Sequence, residues 1–393
     1  MGPESEAKRQ QIKLDLRSGG WAVLLGVFVA LVFLGWRLAL VVQYSDDPYS
    51  APMVSVADYG FDLSNCLVPQ DRIVAAAPPD ALPPLDEPAM VPAWQIPAIN
   101  RQHGKYLVPG DRVIGVVINE VARAYPLRVL NWHEVCNDTI GGVPIAVTYN
   151  PLCDSAVVFD RRVHGRAVRF AASGLLYNSN LLMYEPESPR GERSLWSQLQ
   201  FRAIAGPAAG TDLEILPAQV AYWQDWERRH PETTVIQPNR EQIKKYRREP
   251  YASYFGSERL RYPVAPLPTD SLSYKTDVVA VEMDGRRLVY ALPEIARRAG
   301  ERGRWGTMQH GVELRFDYRH IPPNPPTAWV HAADGAALPL VHAFWFAWHA
   351  MHPQKVAVAG QDDSVRAAPR GVITRETAER PRKLDITSGS PRM

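Results

Sequence analysis

The sequence predicts an α+β fold: a β-rich domain built from two duplicated half-domains, behind one transmembrane helix and a proline-rich arm. Three observations carry this. Strand-like runs recur in the same order in both halves of the chain, and each series ends on an aromatic helix followed by His-Pro. One long apolar segment lies near the N-terminus. Prolines number 35 in 393 residues, well above the usual share of about 5%, which argues for many irregular connections and against an all-helical chain.

Apolar residues make up 46% of the chain and charged residues 22%, a globular composition. The length suffices for one large or two ordinary domains with real cores. The formal charge is only +2, with opposite signs interspersed. No basic face and no nucleic-acid-reading motif emerges, so nucleic acid is not an expected partner.

Taken in order, residues 1–20 form a polar tail and residues 21–42 an anchor helix. The segment WAVLLGVFVALVFLGWRLALVV is long enough to cross about 30 Å of hydrocarbon. Its one charge, Arg37, lies near the far end, where it can reach the interface. Lys8, Arg9, Lys13 and Arg17 precede it and Asp46 and Asp47 follow. By the positive-inside rule the N-terminus stays cytoplasmic and the main domain is extracytoplasmic, a single-pass protein of the cell membrane. A cleaved signal peptide is the competing reading. The apolar run exceeds a normal signal core, and no A-x-A site follows.

Residues 43–110 read as an extended arm. Pro69, Pro78, Pro79, Pro83, Pro84, Pro88, Pro92 and Pro97 forbid regular helix or inner strand there. The arm is expected to drape over the domain, with Trp94 and Ile96 as anchors.

Residues 111–240 are the first half-domain and 241–358 the second. In the first, strands open at Asp111 and Ala122, and VPIAVTY (143–149) is the third. In the second, strands at 277–281, 288–292 and 312–318 follow the same order. The copies close on Trp223-x-x-Trp226…His230-Pro231 and Trp345-x-x-Trp348…His352-Pro353. A period above 100 residues fits duplicated half-domains and not a solenoid. Tyr149 and Trp226 are 77 positions apart and Tyr318 and Trp348 only 30, so the first copy carries about 47 extra residues. Residues 359–393 are polar, basic and aperiodic, a composition expected to be disordered.

The unusual chemistry collects in residues 131–161, NWHEVCNDTIGGVPIAVTYNPLCDSAVVFDR. They hold His133, Asp138 and two of the three cysteines, Cys136 and Cys153. Two strand-like runs flank Asn150-Pro151-Leu152-Cys153-Asp154-Ser155, a turn by composition. Cys153 is thus expected at a hairpin tip, facing a cleft. An imidazole and a thiolate there, His133 and Cys153, could share a transition metal, copper or zinc. They could equally form an activated nucleophile, with Asp138 as a general base. The plain alternative is a carbonyl-bonded histidine and a buried thiol that packs as a hydrophobe.

Cys136 follows His133 by three, a chelating spacing on a helix, but core packing or a disulfide with Cys66 suits it better. Asn137 and Asp138 also suit a turn before Gly141-Gly142. His230, His349 and His352 sit near helix ends, where histidine commonly serves the terminal carbonyls. No Walker loop, dinucleotide fingerprint, H-E-x-x-H or G-x-S-x-G occurs.

Trp132-His133-Glu134, Asn137-Asp138 and Pro151-Leu152-Cys153 resemble the bacterial family called domain of unknown function 3179. That family's pattern runs roughly WHE-x-x-ND, then YCPLC, then [NG][ST]A. Residues 60–64, 173–178, 195–198 and 223–233 fit it as well, so the resemblance spans about 60–352. It implies where a site lies and names no reaction. Asn150 stands where the family usually has its first cysteine, which removes the CxxC dithiol here.

Two functions follow, and whether the chain is an enzyme stays open between them. One is a membrane-anchored extracytoplasmic protein with a Cys153/His133 metal or thiol site. The other is a non-catalytic scaffold or binding module of the cell envelope, with structural cysteines and histidines.

Overall fold

The computed structural model describes residues 25–35 and 55–353, apart from residues 80, 239 and 284. Residues 25–35 are helical (α1), and every side chain on them is exposed. No helix among the described residues is long and apolar enough to cross a membrane. The rest of the expected span 21–42 lies outside the described residues, as do the tails.

The arm departs from its expected form. It contributes strands β1 (Ile73–Ala75), β2 (Leu85–Asp86) and β3 (Met90–Pro92), then helix α2 (Ile96–His103). Proline permits this because of where it stands. Pro92 ends an edge strand, where a missing N–H costs no ladder bond. Pro97 occupies the first turn of α2, where the N–H has no intrahelical partner anyway. Ile96 is buried as an anchor, but Trp94 is 73% exposed.

The first run follows as β4 (Arg112–Ile118), β5 (Val121–Pro126), the single-turn helix α3 (Leu127–Leu130), β6 (Val135–Ile140), β7 (Val143–Asn150) and β8 (Ser155–Asp160). Asn119 and Glu120 both take positive φ between β4 and β5, the two-residue turn whose twist matches the strands. An excursion then adds β9 (Arg162–Val163), β10 (Arg166–Ala167), β11 (Ala171–Tyr177), β12 (Asn180–Tyr184), β13 (Leu195–Ser197) and β14 (Arg202–Ala205). The run closes with β15 (Gln219–Tyr222), α4 (Trp223–Arg229) and β16 (Thr234–Ile236), and α5 (Arg240–Tyr246) and α6 (Ala252–Phe255) lead onward.

The second run is β17 (Asp277–Met283), β18 (Arg286–Ala291), α7 (Leu292–Ala299), β19 (Arg304–Gln309), β20 (Val312–Arg319), β21 (Thr327–Ala332), β22 (Leu340–Phe344) and α8 (Trp345–Met351). Together these elements make a mixed, β-rich α+β architecture.

A seven-stranded sheet in the order β18-β17-β22-β8-β7-β6-β2 forms the centre. It joins the two runs, because β22 pairs with β8. Strand side chains alternate faces, and the two cores sort by that alternation. Val135, Ala146, Val157 and Phe159 enter one core. Cys136, Ile145, Val147 and Val158 enter the other. Every residue of β8 is buried, as in a strand covered on both sides. The second core is closed by a sheet in the order β15-β4-β5-β16-β3 and the first by β1-β11-β12-β13-β14, while β19-β20-β21 stands apart as a meander.

Gly115 shows how tightly α4 seats. A Cβ built there would come within 2.1 Å of the Trp226 ring, so only glycine lets that indole lie on β4.

Candidate functional site

Cys153 lies in the β7–β8 turn, as the sequence suggests, but it does not face a cleft. It is 0% exposed, and its Sγ donates to the Ser179 carbonyl at 3.2 Å. Burial pushes this thiol well up from its ordinary pKa, so it is held protonated and unreactive.

Around it the polar residues of the motif close on one another. Asn150 Nδ2 donates to Glu134 Oε1 at 3.1 Å, and Asn150 Oδ1 accepts from the Cys153 backbone N–H at 3.2 Å. Ser155 Oγ donates to Gln198 Oε1 at 2.6 Å, and Asn180 Nδ2 donates to both Ser155 Oγ and Gln198 Oε1. Gln198 Nε2 reaches Thr148 Oγ1 at 2.9 Å. Glu134, Asn150, Ser155, Asn180 and Gln198 are all 0% exposed. The excursion between β8 and β15 supplies Ser179, Asn180 and Gln198, so much of its role is to seal this network. A sealed network rigidifies a core and specifies its packing.

His133 sits in the turn between α3 and β6, and both its nitrogens are used. Nδ1 donates to the Pro83 carbonyl at 2.8 Å, and Nε2 accepts from the Tyr246 hydroxyl at 2.8 Å. That pattern needs a neutral ring, and burial pulls its pKa down accordingly. No lone pair is left for a metal. Cys136 is on strand β6 and not on a helix, so the H-x-x-C spacing makes no chelating face. Its buried thiol packs in the core, and Cys66, Cys136 and Cys153 are all unbridged.

Asp138 is on β6 too, where Oδ1 accepts from Arg123 at 2.6 Å and Oδ2 from the Tyr125 hydroxyl at 2.6 Å. His133, Asp138 and Cys153 therefore answer to separate partners. Among the described residues, none hydrogen-bonds another. His230 and His352 do follow the helix ends, and their rings lie tilted against Trp226 and Trp348, with centroids 4.3 Å and 4.4 Å apart.

The structure gathers a different set. Asp154, one residue after Cys153, is 0% exposed and has a φ of +43°, a turn conformation that aspartate tolerates better than most non-glycine residues. Arg112 grips its carboxylate in a fork, Nη1 to Oδ2 at 2.7 Å and Nη2 to Oδ1 at 2.9 Å. The Tyr149 hydroxyl donates to Oδ1 at 2.5 Å. His342 Nε2 lies 3.3 Å from Asp154 Oδ2 and 3.4 Å from Asp277 Oδ1.

Burial alone would raise the Asp154 pKa, but Arg112 and His342 outweigh it and hold the carboxyl well below the usual range. Burial would lower His342, yet the two aspartates push it up to about 9. Asp277 is raised, chiefly by burial. The four formal charges sum to zero with His342 protonated, so each buried charge is compensated.

Asp154, Asp277 and His342 are also the one group of three such side chains, among the described residues, close enough to share an ion, within 4.8 Å of one another. The bonding does not suit a cation. Arg112, Tyr149 and His342 already take the four acceptor positions of Asp154. A metal would have to displace a guanidinium fork.

Arg112 and Tyr149 face outward from this cluster onto a cavity of about 110 Å³. Asp111, Arg128, Asn131 and Glu249 share its wall. The Asn131 Oδ1 and Arg128 Nε atoms are buried and have no hydrogen-bond partner.

Sequence reasoning passed over Arg112, Asp154, Asp277 and His342 as site residues. A signal existed. Arg112 and Asp277 open the first strand of the two runs, where a charge is out of place, and His342 interrupts the apolar string LVHAF.

The family model described as "Protein of unknown function (DUF3179)" matches residues 79–355. No curated protein and no solved structure matches the chain. The match begins in the arm, takes in both runs and ends just after α8, so every residue of the network and of the charge cluster falls inside it. The chain belongs to the DUF3179 family.

Proposed function

We propose that this chain is a non-catalytic binding module of the cell envelope, tethered to the membrane by residues 21–42 with its main domain outside the cytoplasm. The closure of the motif residues around Cys153 carries this reading. A thiol used for chemistry or metal binding needs access and a lowered pKa, and this one has a carbonyl partner, a raised pKa and no exposure. For the anchor, support comes from the exposed apolar faces of α1 and the basic residues before it.

The domain is read as a duplication of two half-domains. Hairpin, helix, three-stranded meander, strand and aromatic helix follow one another in both runs. Arg112 pairs with Tyr222, and Asp277 with Phe344, which makes Arg112 and Asp277 equivalent positions. The Trp223 N–H bonds to the Asp111 carbonyl at 2.7 Å, and the Trp345 N–H to the Thr276 carbonyl at 2.8 Å. The closing strands also cross over: β22 pairs with β8 of the first run, and Gln219 of β15 exchanges hydrogen bonds with Val330 of β21.

The test is thiol labelling and metal analysis of the full chain in detergent. Half-exposed Cys66 should react in the native state, Cys136 and Cys153 only after unfolding, and no stoichiometric copper or zinc should co-purify. Metal that is lost in Cys153→Ser, or native labelling of Cys153, would restore the Cys153/His133 site.

A further inference from the structure

We propose that the groove between α4 and the β19-β20-β21 meander binds a soluble anion carrying two or more negative charges, a phosphate or a polycarboxylate. This rests on the binding-module reading and supplies its ligand class. The strand registers place the groove. Gly303 has a φ of +63° where Glu134 has +57°. The Tyr318 N–H bonds to the Gly303 carbonyl at 2.7 Å, as the Tyr149 N–H does to the Glu134 carbonyl at 2.8 Å. Counted from there, Asp317 stands at the place of Thr148 and Arg319 at that of Asn150. Thr327, opposite Arg319, stands at that of Ser155, opposite Asn150. Thr148, Asn150 and Ser155 belong to the sealed network, but Asp317, Arg319 and Thr327 line an open cavity of about 1010 Å³. The excursion makes the difference. Strands β9 to β14 intervene between β8 and β15 and bring Asn180 and Gln198 to the first run, whereas only residues 333–339 separate β21 from β22.

The lining selects an anion. Arg228, Arg229, Arg302, Arg304 and Arg319 converge on the cavity from α4, the turn after α7, β19 and β20. Asp225, Glu301 and Asp317 are its carboxylates, so two positive charges are in surplus. Depth sharpens the imbalance. Asp225 receives Arg228 at 2.5 Å and Arg319 at 3.4 Å, and Asp317 receives Arg229 at 2.5 Å and Arg304 at 3.3 Å. The Asp225 and Asp317 side chains are only 8% and 19% exposed, while those of Arg228, Arg319 and Arg304 are 62%, 55% and 80% exposed. The acids thus lie beneath and steady the guanidiniums, and an incoming ligand meets the cations. Each of these contacts engages one nitrogen of a group with five N–H donors, whose fork suits phosphate and carboxylate oxygens. A single negative charge would balance only half of the surplus, so the groove favours an anion with two or more.

The full chain in detergent, titrated calorimetrically with inorganic phosphate, citrate, acetate and putrescine, tests this. Phosphate or citrate should saturate, acetate should bind roughly tenfold more weakly or worse, and putrescine should not bind. The tighter of phosphate and citrate tells which kind of anionic group the groove reads. Arg319→Asn and Arg228→Gln should each lose roughly tenfold or more in affinity, as the loss of a charge-assisted bond gives. Neither should lower the melting temperature, because both side chains are mostly exposed and Asp225 keeps its other arginine. Arg162→Gln, on β9 and 51% exposed, should keep full affinity. No saturation by phosphate or citrate, acetate binding as tightly as either, or unchanged affinity in both groove variants would overturn the proposal. So would an equal loss in Arg162→Gln, which would mark attraction to surface charge at large. Thiol labelling is read separately. Lost binding with Cys153 unlabelled removes the ligand and leaves the non-catalytic reading, and labelled Cys153 with binding intact does the reverse.

Discussion

His342 Nε2 lies 3.3 Å from Asp154 Oδ2, across the joint where the last strand of the second run meets the hairpin of the first. That contact belongs to the only strand pairing that joins β22 to β8, a single register pair between His342 and Ala156. Beside that pair, the Phe344 N–H bonds to the Cys153 carbonyl at 2.7 Å, and the ion cluster adds side-chain bonds across the same joint.

The cluster gives stability a pH dependence with a definite sign. His342 faces Asp154 and Asp277, with Arg112 and Tyr149 behind them. Its folded pKa of about 9 exceeds the unfolded value near 6.5. Its contribution is therefore fully present below pH 6.5 and lost as pH rises through about 9. Denaturant titrations from pH 6 to 10 should show a loss on the order of 2–3 kcal/mol, and His342→Gln should flatten that slope. An equal slope in the variant would assign the pH dependence elsewhere.

Removing one charge should cost more than removing the pair. Asp154→Asn leaves the Arg112 guanidinium buried and uncompensated, a loss of roughly 3–5 kcal/mol. Arg112→Met together with Asp154→Asn removes both charges and should cost less than Asp154→Asn alone. Additive losses in that double-mutant cycle would mean that the two side chains act independently.

The fold was legible in the sequence where local signals agree with packing. β7, β8, α4 and α8 fall within a residue or two of their expected bounds, because period-2 alternation and W-x-x-W spacing both report the faces that are buried. β6 was hidden, since Cys136, Asn137 and Asp138 carry turn chemistry, and it is the ladder to β7, the pairing with distant β2 and the bonds of Asn137 to Asp86 and Phe170 that make them strand. The arm misled for a related reason. Proline content reports where regular structure cannot run, and it is silent on which short segments pair with a distant edge.

The site was legible as a place and not as a set of residues. Asp154 adjoins the flagged Cys153, yet its partners Arg112 and His342 lie 42 and 188 positions away. Distances of that kind arise from how the two runs join, which no local pattern encodes.

Gly115→Ala tests the seat of α4. A new methyl group 2.1 Å from the Trp226 ring must displace an indole that is fully buried and whose Nε1 bonds to Thr233 Oγ1 at 2.9 Å. Overpacking of this kind costs roughly 1–3 kcal/mol or more. Trp226→Leu in the same chain should recover part of it, and no recovery would place the strain elsewhere in β4.

Asn150→Cys places a second thiol at CxxC spacing from Cys153 and separates two roles of that position. The Asn150 side chain bonds to Glu134 and caps the Cys153 N–H. A thiol is a weak donor and acceptor, so the variant loses the bond to the buried Glu134 carboxylate and the cap on the Cys153 N–H. Stability should fall by about 1–3 kcal/mol without metal, read from chemical denaturation. The introduced thiol then stands at dithiol spacing from Cys153, which favours soft metals. Zinc or copper(I) should therefore raise the melting temperature of the variant and leave that of the natural chain unchanged. A metal-dependent rise in the natural chain would show that Asn150 and Cys153 already form a metal site. An unshifted variant would show that the Cys153 sulfur stays turned toward Ser179 whatever stands at 150.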